Sequence, residues 1–209
     1  MKKRLVKFQI ILFCLCLTSV SSVFCQDRTG PDAWENRHNK LQPPEKVMDA
    51  IGLKPGMVIG EIGAGRGRYA VSLAERVGEK GKVYANDINE RDLDYLKRRC
   101  KRDNINNIET ILGGEIEPRF PEKSLDIAFV INTYHHLDKP VELLKNVIPA
   151  LKSGGTLAIV EHEPDKSGFS LESSTKNETL IRQATNAGFK LARIETFLER
   201  DNIYIFTVK

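Results

Sequence analysis

Cysteine is nearly missing from most of this chain. Three of its four cysteines, Cys14, Cys16 and Cys25, fall in the first 25 residues, which leaves Cys100 alone beyond them. A single thiol cannot close an internal disulfide, and no C-x-x-C spacing offers a thiolate metal site. Cys100 instead continues the apolar series Leu93 and Leu96 and reads as a small core residue. Basic surplus is missing as well. The formal net charge is +4, but Lys2, Lys3, Arg4 and Lys7 supply all of it within a stretch that has no acid. The remainder is neutral, so the phosphate-neutralising surface of a nucleic-acid binder is not implied. No internal repeat and no low-complexity tract occurs. The 209 residues suffice for one domain with a real core and are few for two.

Residues 1–25 form a separate object. Their basic start leads into an apolar run over residues 10–17, followed by a small and polar stretch over residues 18–22. This is the three-part layout of a secretory signal peptide. The apolar run is short beside the ~20 residues of a spanning helix. Val23 and Cys25 are tolerable at the −3 and −1 positions of a cleavage site, whereas Phe24 stands where a lipoprotein signal has a small residue. The expectation is an exported protein, periplasmic or secreted. The alternative is one anchored to a membrane through this segment alone, left uncleaved. Residues 26–43 are polar and irregular, a lead-in or a lid carrying Trp34, Arg37 and His38.

From residue 44 onward strands and helices alternate. Pro44 opens a helix through Val47, Met48 and Ile51 that ends at Gly52. Residues 58–62 form a short apolar strand, and residues 69–77 a helix closed by Gly78. Residues 83–85 form a strand, and Asn89 caps a helix through Leu93 and Leu96. Residues 108–112, 127–131 and 156–160 are further strands, the second of them continuously apolar as in a sheet buried on both faces. Pro140 sits in the first turn of a helix with Val141, Leu144 and Val147. Thr175 and Glu178 fit a capping box for a helix ending at Gly188. Two strands follow, residues 191–197 and 203–208, with a hairpin-type turn over residues 199–202. The pattern predicts an α/β fold, a Rossmann-like doubly wound sheet that is mostly parallel, has an antiparallel C-terminal strand and carries helices on both faces. Residues 44–209 make one domain.

The sharpest chemical signal lies between the first strand and its helix, where Gly63, Gly65 and Gly67 stand close together. Such a bend lets backbone turn tightly and lets a ligand approach without a Cβ in the way. Glu61 stands two residues before the first glycine. The spacing is G-x-G-x-G, not the G-x-G-x-x-G of dinucleotide binders. Asp87 ends the next strand, where its carboxylate can accept both hydroxyls of an unphosphorylated ribose.

These residues resemble the class I S-adenosylmethionine-dependent methyltransferases, and in particular the group that includes the quinone-biosynthesis methyltransferases. The likeness runs from about Gln42 to the carboxy terminus. Residues 53–57 (LKPGM) are similar to the family's lead-in, residues 61–67 to its E/D-x-G-x-G-x-G motif, and residues 81–87 to its second motif. Residues 151–156 are similar to its L-K-P-G-G turn, with Ser153 in place of proline. The resemblance implies S-adenosyl-L-methionine as cofactor and a small-molecule acceptor. It puts Glu61, Gly63, Ala64, Gly65 and Gly67 at the cofactor, with Glu61, Gly63 and Gly65 along the methionine end. Asp87 then holds the ribose, and Ile88 and Asn132 complete the site. One departure matters. Gly114 falls where the family often has an acid for the adenine amino group, so Glu115, one residue later, or a backbone carbonyl takes that place.

Open α/β sheets bind ligands at the carboxyl ends of their strands. Three of the four histidines follow the fourth and fifth strands, as His135, His136 and His162. His135 or His162 is a candidate general base, because imidazole titrates near neutrality. The other reading has this segment packing beneath the pocket. No local ligand motif supports a metal. Residues 132–134 (NTY) are not the N-P-P-Y of enzymes that methylate base or glutamine amides, and one thiol beyond the leader argues against arsenite as acceptor. Two rival readings remain. A non-catalytic protein of the same fold would bind the nucleoside without turnover. A nicotinamide-dependent oxidoreductase would share the sheet but should show G-x-G-x-x-G and gives no reason for Glu61.

Overall fold

The computed structural model describes residues 33–167 and 174–209. The expected leader over residues 1–25 lies outside the described residues, as does the lead-in up to residue 32. Seven strands form one sheet in the order β3-β2-β1-β4-β5-β7-β6. They are β1 (Val58–Ile62), β2 (Lys82–Asp87), β3 (Ile108–Leu112), β4 (Leu125–Ile131), β5 (Leu151–His162), β6 (Phe189–Glu195) and β7 (Asp201–Val208). The pairs β1–β2, β1–β4, β2–β3 and β4–β5 are parallel, while β7 runs antiparallel to both β5 and β6. The single antiparallel strand is thus slotted between β5 and β6, and β6 shares the direction of the rest.

The helices are α1 (Ala33–Leu41), α2 (Pro44–Ile51), α3 (Arg68–Val77), α4 (Glu90–Asp103), α5 (Pro140–Val147), the single turn α6 (Pro164–Ser167) and α7 (Asn177–Ala187). Strand β4 explains why both faces of the sheet are covered. Ile127, Phe129 and Ile131 pack into one core with Met48, Leu73 and Leu96 from α2, α3 and α4. Ala128 and Val130 face a second core with Leu144 and Val147 from α5 and Leu180 and Ala184 from α7. Period-two alternation in a strand apolar at nearly every position demands helices on both sides. Each fully buried Leu, Ile or Phe contributes about 1.5–3 kcal/mol. Strand order reverses between β1 and β4, so a crevice opens at their carboxyl ends. The glycine bend and residues 132–136 flank it. No helix among the described residues is long and apolar enough to cross a membrane.

Three local expectations need correction. Residues 33–41 are helical, not irregular. The helix has no apolar face to betray it in the sequence; its one buried side chain is Glu35, held by Arg99 of α4. The capping box before α7 does not form. Lys176 occupies the cap position without a side-chain cap bond, and Asn177 instead accepts a hydrogen bond from the Tyr204 hydroxyl. Strand β7 starts at Asp201, inside the stretch expected as a turn, because Asp201 pairs directly across from His162 of β5.

Candidate active site

The chain leaves β1 at Ile62 and turns into α3 through three glycines with positive φ, Gly63 at 73°, Gly65 at 53° and Gly67 at 84°. Their surroundings separate their tasks. A Cβ on Gly63 would stand 2.4 Å from the Thr133 side chain, so bare backbone there lets the bend cross the end of β4. A Cβ on Gly67 would meet Leu96 at 2.3 Å, so this glycine lets α3 pack on α4. A Cβ on Gly65 would meet nothing within 4 Å. The bend is fixed from the neighbouring strand: the Ala64 N–H donates to the Asn86 carbonyl at 2.9 Å and the Gly65 N–H to Asp87 Oδ2 at 2.7 Å. Asp87 Oδ1 accepts from the Asn89 N–H at 2.8 Å. Each carboxylate oxygen of Asp87 keeps a further lone pair.

A cavity of about 240 Å³ lies against this bend. Glu61, Gly63, Ala64, Gly65, Arg68 and Tyr69 form one wall, residues 131–133 another, and Trp34 and Glu35 of α1 a third. Glu61 is 2% exposed, and its Oε2 has no hydrogen-bond partner. Burial pushes its carboxyl up to about 8; the nearby Arg68 charge pulls it down and Asp87 pushes it further up. An unpartnered buried carboxyl oxygen is costly unless a donor reaches it, and here it belongs to a cavity wall.

Gln42, at the joint of α1 and α2, ties the opposite side together. Its amide exchanges hydrogen bonds with Asn132, 2.7 Å one way and 2.9 Å the other. Its Oε1 also accepts from Arg68 at 2.9 Å, and its carbonyl accepts from the Tyr69 hydroxyl at 2.7 Å. Asn132 itself takes the left-handed backbone, φ 51°, which asparagine tolerates better than most residues. Helix α1 is fastened across the bend by the buried pair Glu35 Oε1–Arg99 Nη1 at 3.0 Å.

A second group lies at the carboxyl ends of β4 and β5. His135 Nδ1 is 2.7 Å from Glu161 Oε1, and His162 Nδ1 is 2.7 Å from Asp201 Oδ1. The two imidazole rings are 5.8 Å apart. At His135, where the contact is a hydrogen bond, a carboxylate that holds the Nδ1 proton leaves Nε2 as the basic nitrogen. Glu161 is fully buried, and its Oε2 has no partner. His135 lines a second cavity of about 310 Å³ with Tyr134, Thr175, Lys176, Thr179 and Gln183. Residues 132–135 therefore run between the two cavities. Burial, and then the neighbouring His135, hold the His136 imidazole below its ordinary range.

The structure brings Glu61, Gly63, Ala64, Gly65 and Asn132 to one cavity, and His135 to the next. Gly67, Asp87, Ile88 and Glu115 do not line the first cavity. Ile88 stands 65% exposed just past Asp87, an apolar surface left in water beside the bend. Glu115 points to an exposed Lys139 at 3.8 Å. Sequence reasoning passed over Gln42, Arg68, Glu35, Arg99 and Asp201. A signal existed for two of them: Arg68 puts a cation at a helix N-terminus, against the helix dipole, and Arg99 interrupts the apolar face of α4.

Comparison with known proteins follows the same outline. Residues 59–155 match the family model described as a methyltransferase domain. The demethylmenaquinone methyltransferase of Geobacillus kaustophilus is 28% identical over 134 residues, which cover 64% of this chain and 56% of that protein. That of Listeria monocytogenes is 24% identical over 126 residues, covering 60% and 53%. The chain thus spans little more than half the length of the curated relatives it matches. Among solved structures, a SAM dependent methyltransferase from Aquifex aeolicus superposes with a TM-score of 0.77 at 25% identity, covering 86% of this chain and all of that one. The geranyl diphosphate C-methyltransferase of Streptomyces coelicolor, solved with S-adenosyl-L-homocysteine, shares the fold with a TM-score of 0.67 at 13% identity, over 83% and 80% of the two chains.

Proposed function

We propose that this chain, which has the class I S-adenosylmethionine-dependent methyltransferase fold, binds S-adenosyl-L-methionine at the glycine bend and transfers its methyl group to a small molecule. The observation that carries the reading is Glu61: a buried carboxyl oxygen without a partner, in the wall of a cavity whose bend is open at Gly65. The donor's amino-acid end carries an ammonium that would meet that oxygen, and a glycine without neighbours gives room for the chain that follows. Asp87 keeps lone pairs for sugar hydroxyls while it fixes the bend, and the exposed Ile88 offers apolar cover for a flat base. Asn132, pinned by Gln42, shapes the wall nearest the second cavity.

When bound, the donor supplies a methyl carbon on a sulfonium whose departure leaves a neutral thioether. The chain's own task is to hold an acceptor in line in a dry site, and alignment of this kind can contribute several kcal/mol. For an acceptor that must lose a proton, His135 is the base. Glu161 holds its Nδ1, its ring borders the second cavity, and Nε2 is left to take the proton. His162, whose Nδ1 lies 2.7 Å from Asp201 Oδ1, stands one ring further back as a second candidate. The relatives named for demethylmenaquinone support a small-molecule acceptor. We also read residues 1–25 as an export signal or an anchor; fractionation of cells expressing the full chain, with sequencing of the mature amino terminus, tests that reading.

Isothermal titration tests the main reading. Heat with S-adenosylmethionine and S-adenosylhomocysteine, and none with NADH, is the expected result. Absence of heat with both sulfur ligands would end the proposal, and heat with NADH alone would replace it.

A further inference from the structure

We propose that the 310 Å³ cavity beside His135 is an acceptor site that selects small hydroxylated carboxylates through Lys176 and Gln183. The inference rests on the donor function proposed above and names the class of molecule that receives the methyl group. Helix α7 buries Leu180 and Ala184 in the core and turns Thr179 and Gln183, four residues apart, to the cavity wall. Thr175 and Lys176, just before the helix, also line the wall, as do Tyr134 and His135 after β4. Leu137 and Pro140 supply its apolar part. No aspartate or glutamate lines it.

The unused polar groups of this wall are donors. The Tyr134 hydroxyl donates to Gln183 Oε1 at 3.0 Å. Burial, and then the Glu161 charge, push that phenol up, so it keeps the proton it donates. The bond fixes the Gln183 amide and leaves both Nε2 hydrogens over. Nε2, the Thr175 hydroxyl and the exposed Lys176 ammonium have no partner among the described residues. One cation, an amide and a hydroxyl match the single charge and the lone pairs of a carboxylate. A phosphate ester, with about 1.5–2 charges, would leave charge unbalanced. A wholly apolar acceptor would strand the half-buried Gln183 amide. In the same wall Glu161 holds His135 Nδ1 at 2.7 Å and leaves Nε2 as the base. An acceptor hydroxyl gives its proton to Nε2 and an electron pair to the methyl carbon, while the carbon–sulfur bond breaks and leaves its pair on sulfur. The acceptor therefore joins a hydroxyl to a carboxylate. At 310 Å³ the cavity stands at the lower end of ligand pockets, which begin near ~300 Å³, so that molecule is small.

The test uses matched acids and alcohols, titrated by ligand-observed NMR into protein saturated with S-adenosylhomocysteine. One pair is aromatic, 3,4-dihydroxybenzoate and 3,4-dihydroxybenzyl alcohol; the other is aliphatic, 3-hydroxybutyrate and 1,3-butanediol. In at least one pair the acid is expected to bind at least about 10-fold more tightly than the alcohol. Lys176→Met is expected to weaken that acid about 5-fold, the small figure reflecting an exposed charge, and Gln183→Leu about 10-fold. The alcohol should change less than about twofold in Lys176→Met. No preference for the acid in either pair, or no binding by any of the four, would overturn the assignment. A preference that survives both substitutions would overturn it as well. If Gln183→Leu fails to fold, Lys176→Met decides, since its side chain is exposed. Protein that binds S-adenosylhomocysteine but shows no preference loses the acceptor assignment alone. Protein that does not bind S-adenosylhomocysteine loses the donor reading, and the acceptor role with it.

Discussion

Glu35 of α1 reaches Arg99 of α4 across the glycine bend, Oε1 to Nη1 at 3.0 Å, with both side chains under 10% exposed. This pair fastens a helix that has no apolar face of its own, and α1 supplies Trp34 to the cavity.

Removing one partner of a buried pair leaves the other charge stranded, at a cost of about 3–5 kcal/mol. Glu35→Ala should lower the unfolding free energy by that order in urea titration. Trp34 is the chain's one tryptophan. Its emission should shift to the red as α1 lifts, and donor affinity should fall with it. Unchanged emission together with unchanged stability would mean that α1 is held by other contacts.

Glu61 makes stability and donor binding pull against each other. Its carboxyl titrates at 4.5 in the unfolded reference and at about 8 in the fold. Across that window the folded state keeps a proton that the unfolded state has lost, so stability falls as pH rises from about 5 to 8. Glu61→Gln removes the penalty. It should raise unfolding stability at pH 8 by a few kcal/mol, ~2–4, and change it little at pH 4. The same variant should bind S-adenosylhomocysteine at least ~10-fold more weakly. At pH 7 the ammonium of an arriving ligand favours the carboxylate, so binding should release up to about one proton, read from the dependence of titration heat on the buffer's ionisation enthalpy. Binding heat independent of buffer would contradict this account.

Much of this was legible in the order of residues. The unbroken apolar run of β4, the glycines with Glu61 before them, and the Asn89 cap announce their roles locally, because the cause lies within a few residues. What stayed hidden depends on contacts distant in the chain. Asp201 reads as a turn residue until β7 pairs with β5 and sets it opposite His162. Helix α1 reads as an irregular strip because its stabilising partner is Arg99, 64 positions from Glu35. The slotting of β7 inside the sheet is equally a choice of partner, which no local pattern specifies.

His135 should matter to turnover and not to the donor. It lines the second cavity and is absent from the first. For an acceptor that must be deprotonated, His135→Gln should lower kcat by about 10²–10⁴-fold and leave S-adenosylhomocysteine affinity within about twofold. His162→Gln, one ring further from that cavity, should cost less. An equal loss in donor affinity and kcat would reassign His135 to packing.

Two glycines of one bend give the sharpest contrast. Both Gly63 and Gly65 have positive φ, so alanine at either carries backbone strain of about 1 kcal/mol. At Gly63 the new methyl would press on Thr133 at 2.4 Å, where the end of β4 limits retreat. Gly63→Ala should therefore lose stability well beyond the strain, by about 2–3 kcal/mol, through overpacking. At Gly65 the methyl meets nothing of the protein within 4 Å and enters the space proposed for the donor. Gly65→Ala should melt within a few degrees of wild type yet bind S-adenosylhomocysteine far more weakly. The reverse pattern, with Gly65→Ala unfolding and Gly63→Ala merely failing to bind, would place the ligand on the other side of the bend.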